Sequence, residues 1–276
     1  MPWDRPPAEP TMREVKELGM FVPGEWIAPI VQFVPEERRI TRFCGTAVLL
    51  GGDFFLTARH VMPPSGAEPR PHLAIADLSD PENIRYVFVQ LVGAEFAPGG
   101  SDLAIGRLDA WAAERQFVGV GFAAPLSDVV CVGYPEDLVR PVERGDMDAL
   151  DNPRYLKGYV TRFLEPSAAA ALVKDPSLEL SFPISRGMSG SPVWGMATGT
   201  PGHEDDRVLI GIATHTVDSR IVTWEEVVEG AGGGHPVRTE TARVVETGIA
   251  VRLSALEDWR PRLSGVPLGA IIAGEV

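Results

Sequence analysis

The sequence is poor in cysteine, in positive charge and in long apolar runs, and each shortage excludes something. Two cysteines, Cys44 and Cys131, permit one disulfide at most, too few for a disulfide-held scaffold, and both read as reduced core residues. Lysine and arginine total 25 against 38 aspartates and glutamates, and the formal charge of −13 repels polyanions, so nucleic acid is not an expected partner. No stretch reaches the roughly 18 apolar residues of a membrane span, so no membrane partner is expected either. The first twenty residues lack the apolar core of a secretory signal, which makes cytoplasmic residence the expectation. Histidine is scarce as well. His203 in "GHEDD" stands beside carboxylates with no second histidine at ligand spacing, so neither a metal nor another cofactor is expected.

What is abundant is turn chemistry. Glycine (29 residues) and proline (25) are excluded from helix interiors and punctuate short strands, while 45% apolar content in 276 residues is enough for a large core. The apolar segments are short and β-branched: "WIAPIVQFV", "GTAVLLGGDFFLTARHV", "IRYVFVQLVGAEF", "DLAIGRL", "DVVCVGYP", "KGYVTRFL", "LELSFPI", "RVLIGIATHTV" and "TGIAVRL". This pattern predicts an all-β fold of paired barrels or a sandwich. "GGDFF" reads as a hairpin turn that leaves His60 just past a buried strand. Residues 1–24 read as an arm with a short helical turn in "TMREVKEL", 168–175 as a short helix, and 135–156 and 223–246 as long loops. Ser254 and Glu257 in "SALEDW" form a capping-box pattern that predicts a short C-terminal helix starting there, whereas the apolar tail "SGVPLGAIIAGEV" suits a strand or a groove.

The stretch "SRGMSGSPVW" sets Ser189 between small residues. Such a string is an ordinary turn unless other segments supply what a nucleophilic serine needs: a neutral imidazole as base, an acid to orient it, and donors for an oxyanion. His60 in "LTARHV" and Asp102 in "SDLAIGRL" are the candidates, in the order His, Asp, Ser. That order is not the serine-first order of the α/β-hydrolases, and Ser191 breaks their Gly-x-Ser-x-Gly elbow. His72 and His235 beside prolines read as ordinary loop residues.

These strings, in order, resemble the trypsin-like serine peptidases, closest to bacterial members without the disulfide near the histidine. "CGTAVLLGGDFFLTARHV" is similar to their "CGGSLI…LTAAHC", "GMSGSP" to "GNSGGP" or "GDSGGP", and "TGIAVRLSALEDW" to "PGVYTRVSxYxxW"; with "VGYP" and "VLIGIATH" the likeness spans residues 25–260. The resemblance implies two antiparallel six-stranded β-barrels, the first over 25–122 and the second over 123–276, with a short C-terminal helix. It implies a cleft between them where Ser189 attacks a scissile carbonyl, His60 shuttles the proton, Asp102 orients His60, and the amides of Gly187 and Ser189 form the oxyanion hole. Asp109 and Asp128 do not fit the family's position for the acid.

The departures are Arg59 before the histidine, Met188 before the serine and Ser191 after it. Without an acid at 188, activation by a new amino terminus pairing there is not expected, which leaves room for an unidentified activator or partner protein. Carried across, the specificity positions are Pro183 and Ile184 at the pocket floor, Arg186 and His215 near its mouth, Thr214 to Thr216 as the strand that pairs with substrate backbone, and Gly248 leaving one wall open. No carboxylate awaits Lys or Arg, so protein or peptide cleavage after small or aliphatic residues is expected, with acidic specificity as the rival. The alternative from another class is a protease fold kept as a binding or regulatory module.

Overall fold

The computed structural model describes residues 26–64, 66–77, 85–109, 119–136, 153–166, 174–196, 207–230 and 234–275. Strands β1 (Ile27–Val34), β2 (Arg39–Leu49), β3 (Phe54–Ala58), β4 (Pro71–Asp77), β5 (Arg85–Phe96) and β6 (Leu103–Leu108) close a barrel in the order β1-β2-β3-β6-β5-β4. A second barrel, β10-β11-β12-β9-β8-β7, is built from β7 (Asp128–Gly133), β8 (Arg154–Leu164), β9 (Ser177–Leu180), β10 (Pro192–Met196), β11 (Arg207–Gly230) and β12 (Gly234–Arg252). All pairings between these strands are antiparallel, so the expected double barrel is what the chain forms.

Closure removes free sheet edges, and the interior of each barrel is filled by the apolar runs. Ile30, Leu49, Phe55, Leu73 and Leu108 belong to a cluster in the first barrel, and Val160, Leu178, Leu180, Val193 and Ile210 to one in the second. A third cluster crosses between the barrels, joining Val48, Leu56 and Leu103 to Val132, Leu209, Ile212 and Val251. The barrels therefore meet through a continuous apolar seam, which makes a rigid floor beneath the cleft.

The "GGDFF" hairpin forms as expected: Leu49 pairs with Phe55, and Gly52 takes a positive φ of 67° in the turn. Two other expectations are corrected. Residues 223–230 and 234–246 are no loop: β11 and β12 pair from Gly211↔Arg252 out to Gly230↔Gly234, a long two-stranded ribbon, and 231–233 lie outside the described residues. Gly230 and Gly234 form its last described pair, and the β-branched residues of the sequence on either side have a high strand propensity. No α-helix starts at Ser254 either; Leu253–Ala255 is one 3-10 turn, and the α-helix α1 spans Leu268–Ile272 in the tail. Ser254 sits inside the 3-10 turn, where its hydroxyl caps nothing, and Pro261 disfavours a helical Arg260, so little room is left for a helix there. The tail helix instead buries Leu268, Ile271 and Ile272 completely against the inter-barrel cluster, a burial of about 1.5–3 kcal/mol per side chain.

Of the loop expected at 135–156, residues 137–152 lie outside the described residues and β8 has already begun at Arg154. The arm 1–24 and most of the helix expected at 168–175 also lie outside them. The barrels are linked by residues 109–127, of which 110–118 are not among those described.

Candidate active site

The pairing of β3 with β6 sets Ala58 opposite Leu103, so the residues just beyond these strand ends are neighbours although they lie 42 positions apart. After Ala58 the chain tightens into a 3-10 turn, Arg59–Val61, which buries Val61 and leaves His60 at the surface. His60 Nδ1 lies 2.8 Å from Asp102 Oδ2, and the His60 backbone N–H donates to Asp102 Oδ1 at 3.0 Å. A carboxylate oxygen accepts in this contact, so Nδ1 is the donor and Nε2 is left free of Asp102. The Arg59 N–H donates to the Asp102 carbonyl at 3.0 Å, which fixes the backbone between the two side chains.

Ser189 comes from the second barrel in a turn that ends at β10. Its neighbouring amides are aimed by the carbonyls of their own peptides, because a planar trans peptide directs C=O and N–H oppositely. The Arg186 carbonyl accepts the Glu136 N–H at 2.8 Å, which turns the Gly187 N–H the other way. The Met188 carbonyl accepts the Ser191 N–H at 3.0 Å, which does the same for the Ser189 N–H. Among the described residues neither the Gly187 nor the Ser189 N–H has a partner. Gly187 has φ 91°, and a Cβ there would stand 2.5 Å from Glu136 N and 2.8 Å from Tyr134 O, so only glycine fits. Thr46 of β2 anchors this turn from the first barrel, its hydroxyl donating to the Gly187 carbonyl at 3.1 Å and accepting the Tyr134 N–H at 3.0 Å.

The Ser189 hydroxyl donates to the Thr214 carbonyl at 2.7 Å, and among the described residues no hydrogen bond joins it to His60. Thr214, His60 and Asp102 line one cleft of about 910 Å³, together with Arg59, Phe96 and Asp175. His215 stands in the same cleft: burial lowers its pKa, with Asp102 pulling it up and His60 pushing it down. The Thr214 hydroxyl donates to the Ile249 carbonyl at 3.1 Å, so the contact of 2.9 Å to His215 Nδ1 is one in which the ring donates.

The three departures from the family strings have physical places. The Arg59 guanidinium lies 4.6 Å over the Phe96 ring, beside the cleft mouth. Met188 is buried in the second barrel's core and stays out of the site. The Ser191 side chain takes space that only a glycine at 133 leaves open, since a Cβ at Gly133 would lie 1.8 Å from its oxygen. No thiol competes as nucleophile: both cysteines are free, burial pushes Cys131 up to about 12 against a Ser191 contact that lowers it, and Cys44 is raised by burial. Among the described residues no cluster of His, Cys, Asp and Glu is arranged to hold a metal ion.

The family model of the trypsin-like peptidase domain matches residues 45–200, more than half of the chain. The chain belongs to that family. This peptidase domain is similar in structure to the MamO protease domain from Magnetospirillum magneticum in its apo form, at 16% identity and a TM-score of 0.50, over 84% of this chain and 94% of that one. It is also similar to the HtrA-type protease AlgW solved with a decapeptide, at 17% identity and a TM-score of 0.50, over 85% of this chain and 63% of that one. At such identities the likeness is one of fold. No curated protein matches the sequence.

Of the positions expected to shape the peptidase domain's specificity, Ile184, Thr216 and Gly248 lie together. Thr216 Oγ1 accepts the Ile184 N–H at 2.7 Å and donates to the Ile184 carbonyl at 2.9 Å. Gly248 pairs with both Thr216 and Leu180, and a Cβ on it would meet the Phe182 carbonyl at 2.6 Å and Ile184 Cγ1 at 2.9 Å. Ile184 is buried and Pro183 exposed. Arg186 is largely exposed and pairs with Glu136 at 2.5 Å, away from the residues that line the His60 cleft. β11 is bulged between Ala213 and His215, which breaks its pairing with β12 at Thr214. Sequence reading alone passed over Thr46, Glu136 and Asp175. None has a local signature, because each acts through a backbone group far along the chain.

Proposed function

We propose that this peptidase domain is a serine endopeptidase in which Ser189 attacks the scissile carbonyl, His60 takes and returns the proton, and Asp102 holds the imidazole and stabilises its charged form. The observation that supports the reading is that the carbonyls of the Arg186–Gly187 and Met188–Ser189 peptides are both pinned while, among the described residues, the Gly187 and Ser189 N–H groups have no partner. Donors fixed in advance stabilise an oxyanion without reorganising, and the loss of one costs about 100- to 1000-fold in rate. The resting hydroxyl bonds Thr214; a turn about χ1 toward His60 precedes attack, and such loosening is common in an unliganded site.

Cleavage follows small or aliphatic residues. In support, Thr216 binds Ile184 through both backbone groups, and Phe182 and Ile184 crowd the space beside Gly248, so little room is left for a large side chain there. Acidic specificity is weakened by the pairing of Arg186 with Glu136. The substrate backbone is expected to add as a strand along Thr214–Thr216. The second reading, a silent module that binds without cutting, is favoured by one observation: Ser189 is hydrogen-bonded to Thr214 and not to His60. A fluorophosphonate probe separates the two. The peptidase reading expects labelling of the wild type that vanishes in Ser189→Ala and His60→Ala, and an unlabelled wild type would leave the module. A peptide panel varied at the cleavage residue then tests specificity, with efficient cleavage after Lys counting against both preferences.

A further inference from the structure

Asp102 is gripped from a side that the serine mechanism does not require. Its backbone N–H donates to Asp175 Oδ2 at 2.8 Å, and Asp175 belongs to the second barrel, 73 residues further on. Asp175 is 7% exposed. A carboxylate that dry is tolerated only where donors meet it, and among the described residues the Asp102 amide is the partner its side chain has.

The mount is stiff. Pro176 restricts Asp175 to extended backbone, the Pro176 carbonyl accepts the Arg252 N–H at 2.9 Å, and the Ser177 hydroxyl donates to the Asp175 carbonyl at 2.9 Å. Ser177 then opens β9, which is paired on both sides, with Val251 of β12 and Leu164 of β8. Thr214 reaches the same cleft from the second barrel, but its hydroxyl is committed to Ile249 and His215. Among the described residues, Asp175 is thus the second barrel's hydrogen-bonded hold on Asp102.

We propose that Asp175 is a positioning residue that ties Asp102, and through it His60, to the barrel that carries Ser189. The inference rests on the serine-peptidase reading, and the reason is geometric. His60 and Asp102 ride on the first barrel and Ser189 on the second, so a relative shift of about 1 Å would spoil the proton transfer by about 100-fold. The Asp175–Asp102 bond opposes that shift at the residue where it matters.

The test uses the full chain with Asp175→Ala, Asp175→Asn and Ser189→Ala. Asparagine keeps an acceptor oxygen and loses the charge. In Asp175→Ala the fluorophosphonate labelling rate and kcat should fall about 100-fold, with KM moving no more than about threefold. Asp175→Asn should stay within about fivefold of wild type, a rescue that a bulk loss of packing would not produce. Independently of activity, the Asp102 amide proton should be protected from exchange in the wild type and in Asp175→Asn, and should exchange rapidly in Asp175→Ala. A rapidly exchanging Asp102 amide in the wild type overturns the proposal even if Asp175→Ala does not fold. So does Asp175→Ala that labels at the wild-type rate. Labelling that persists in Ser189→Ala sinks the peptidase reading instead, and the exchange measurement still judges Asp175.

Discussion

Thr46→Val removes one oxygen from a place where three segments of chain meet, and it leaves the side chain's shape almost unchanged. Thr46 is fully buried, and its hydroxyl serves the Gly187 carbonyl as donor and the Tyr134 N–H as acceptor. Valine offers neither, so each loses this partner in a dry site. Leaving a buried polar group unmet costs about 1–3 kcal/mol, or about 2–6 kcal/mol for the two. The added methyl returns about 1 kcal/mol of apolar burial, which leaves a net loss of about 1–5 kcal/mol against a typical stability of about 5–15 kcal/mol. Urea unfolding should show a lower midpoint at an unchanged slope. The same substitution frees one of the two peptides that flank Gly187. Labelling of Ser189 should therefore slow by at least about tenfold, and by up to the 100- to 1000-fold of a lost oxyanion donor. Thr46→Ser keeps the hydroxyl and should retain the labelling rate. A Thr46→Val protein with wild-type labelling and a stability within about 0.5 kcal/mol of wild type would refute the reasoning.

Gly187→Ala places a Cβ 2.5 Å from Glu136 N at φ 91°; stability should drop by about 1–3 kcal/mol and labelling by at least about 100-fold, and retained labelling would contradict the oxyanion assignment. Burial lowers the pKa of His72 against its bond to the Arg70 carbonyl, so as pH falls through 6.5 the unfolded chain takes up the proton first and folding weakens. His215, lowered by the same cause, acts in the same direction. Urea midpoints measured from pH 8 to 5 should show the wild type losing stability relative to His72→Gln on acidification, and a constant difference would exclude the effect.

How much was legible follows from what each feature depends on. Strands and tight turns depend on neighbours in the chain, so "FFLTA", "LAIGRL" and "GGDFF" predicted their own conformations. The ribbon after Thr216 was misread because "GAGGG" looks like a loop, while the pairing of its two flanks is a long-range fact. The capping-box string at Ser254 was misread because Pro261 and the preceding 3-10 turn leave it no helix to start.

The chemistry divides the same way. By itself the sequence determined an all-β chain, the residue types a hydrolytic serine would need, and a glycine where an amide must turn inward, since these are local properties of composition and backbone freedom. Only the tertiary structure decided that Asp102 meets His60 through the β3–β6 register, that Thr46 reaches Gly187 across 141 residues, and that Asp175 reaches Asp102 from the other barrel. A hydrogen bond between backbone and a distant side chain has no period and no motif. It exists because two closed barrels press a shared apolar seam together and leave those polar groups nowhere else to bond.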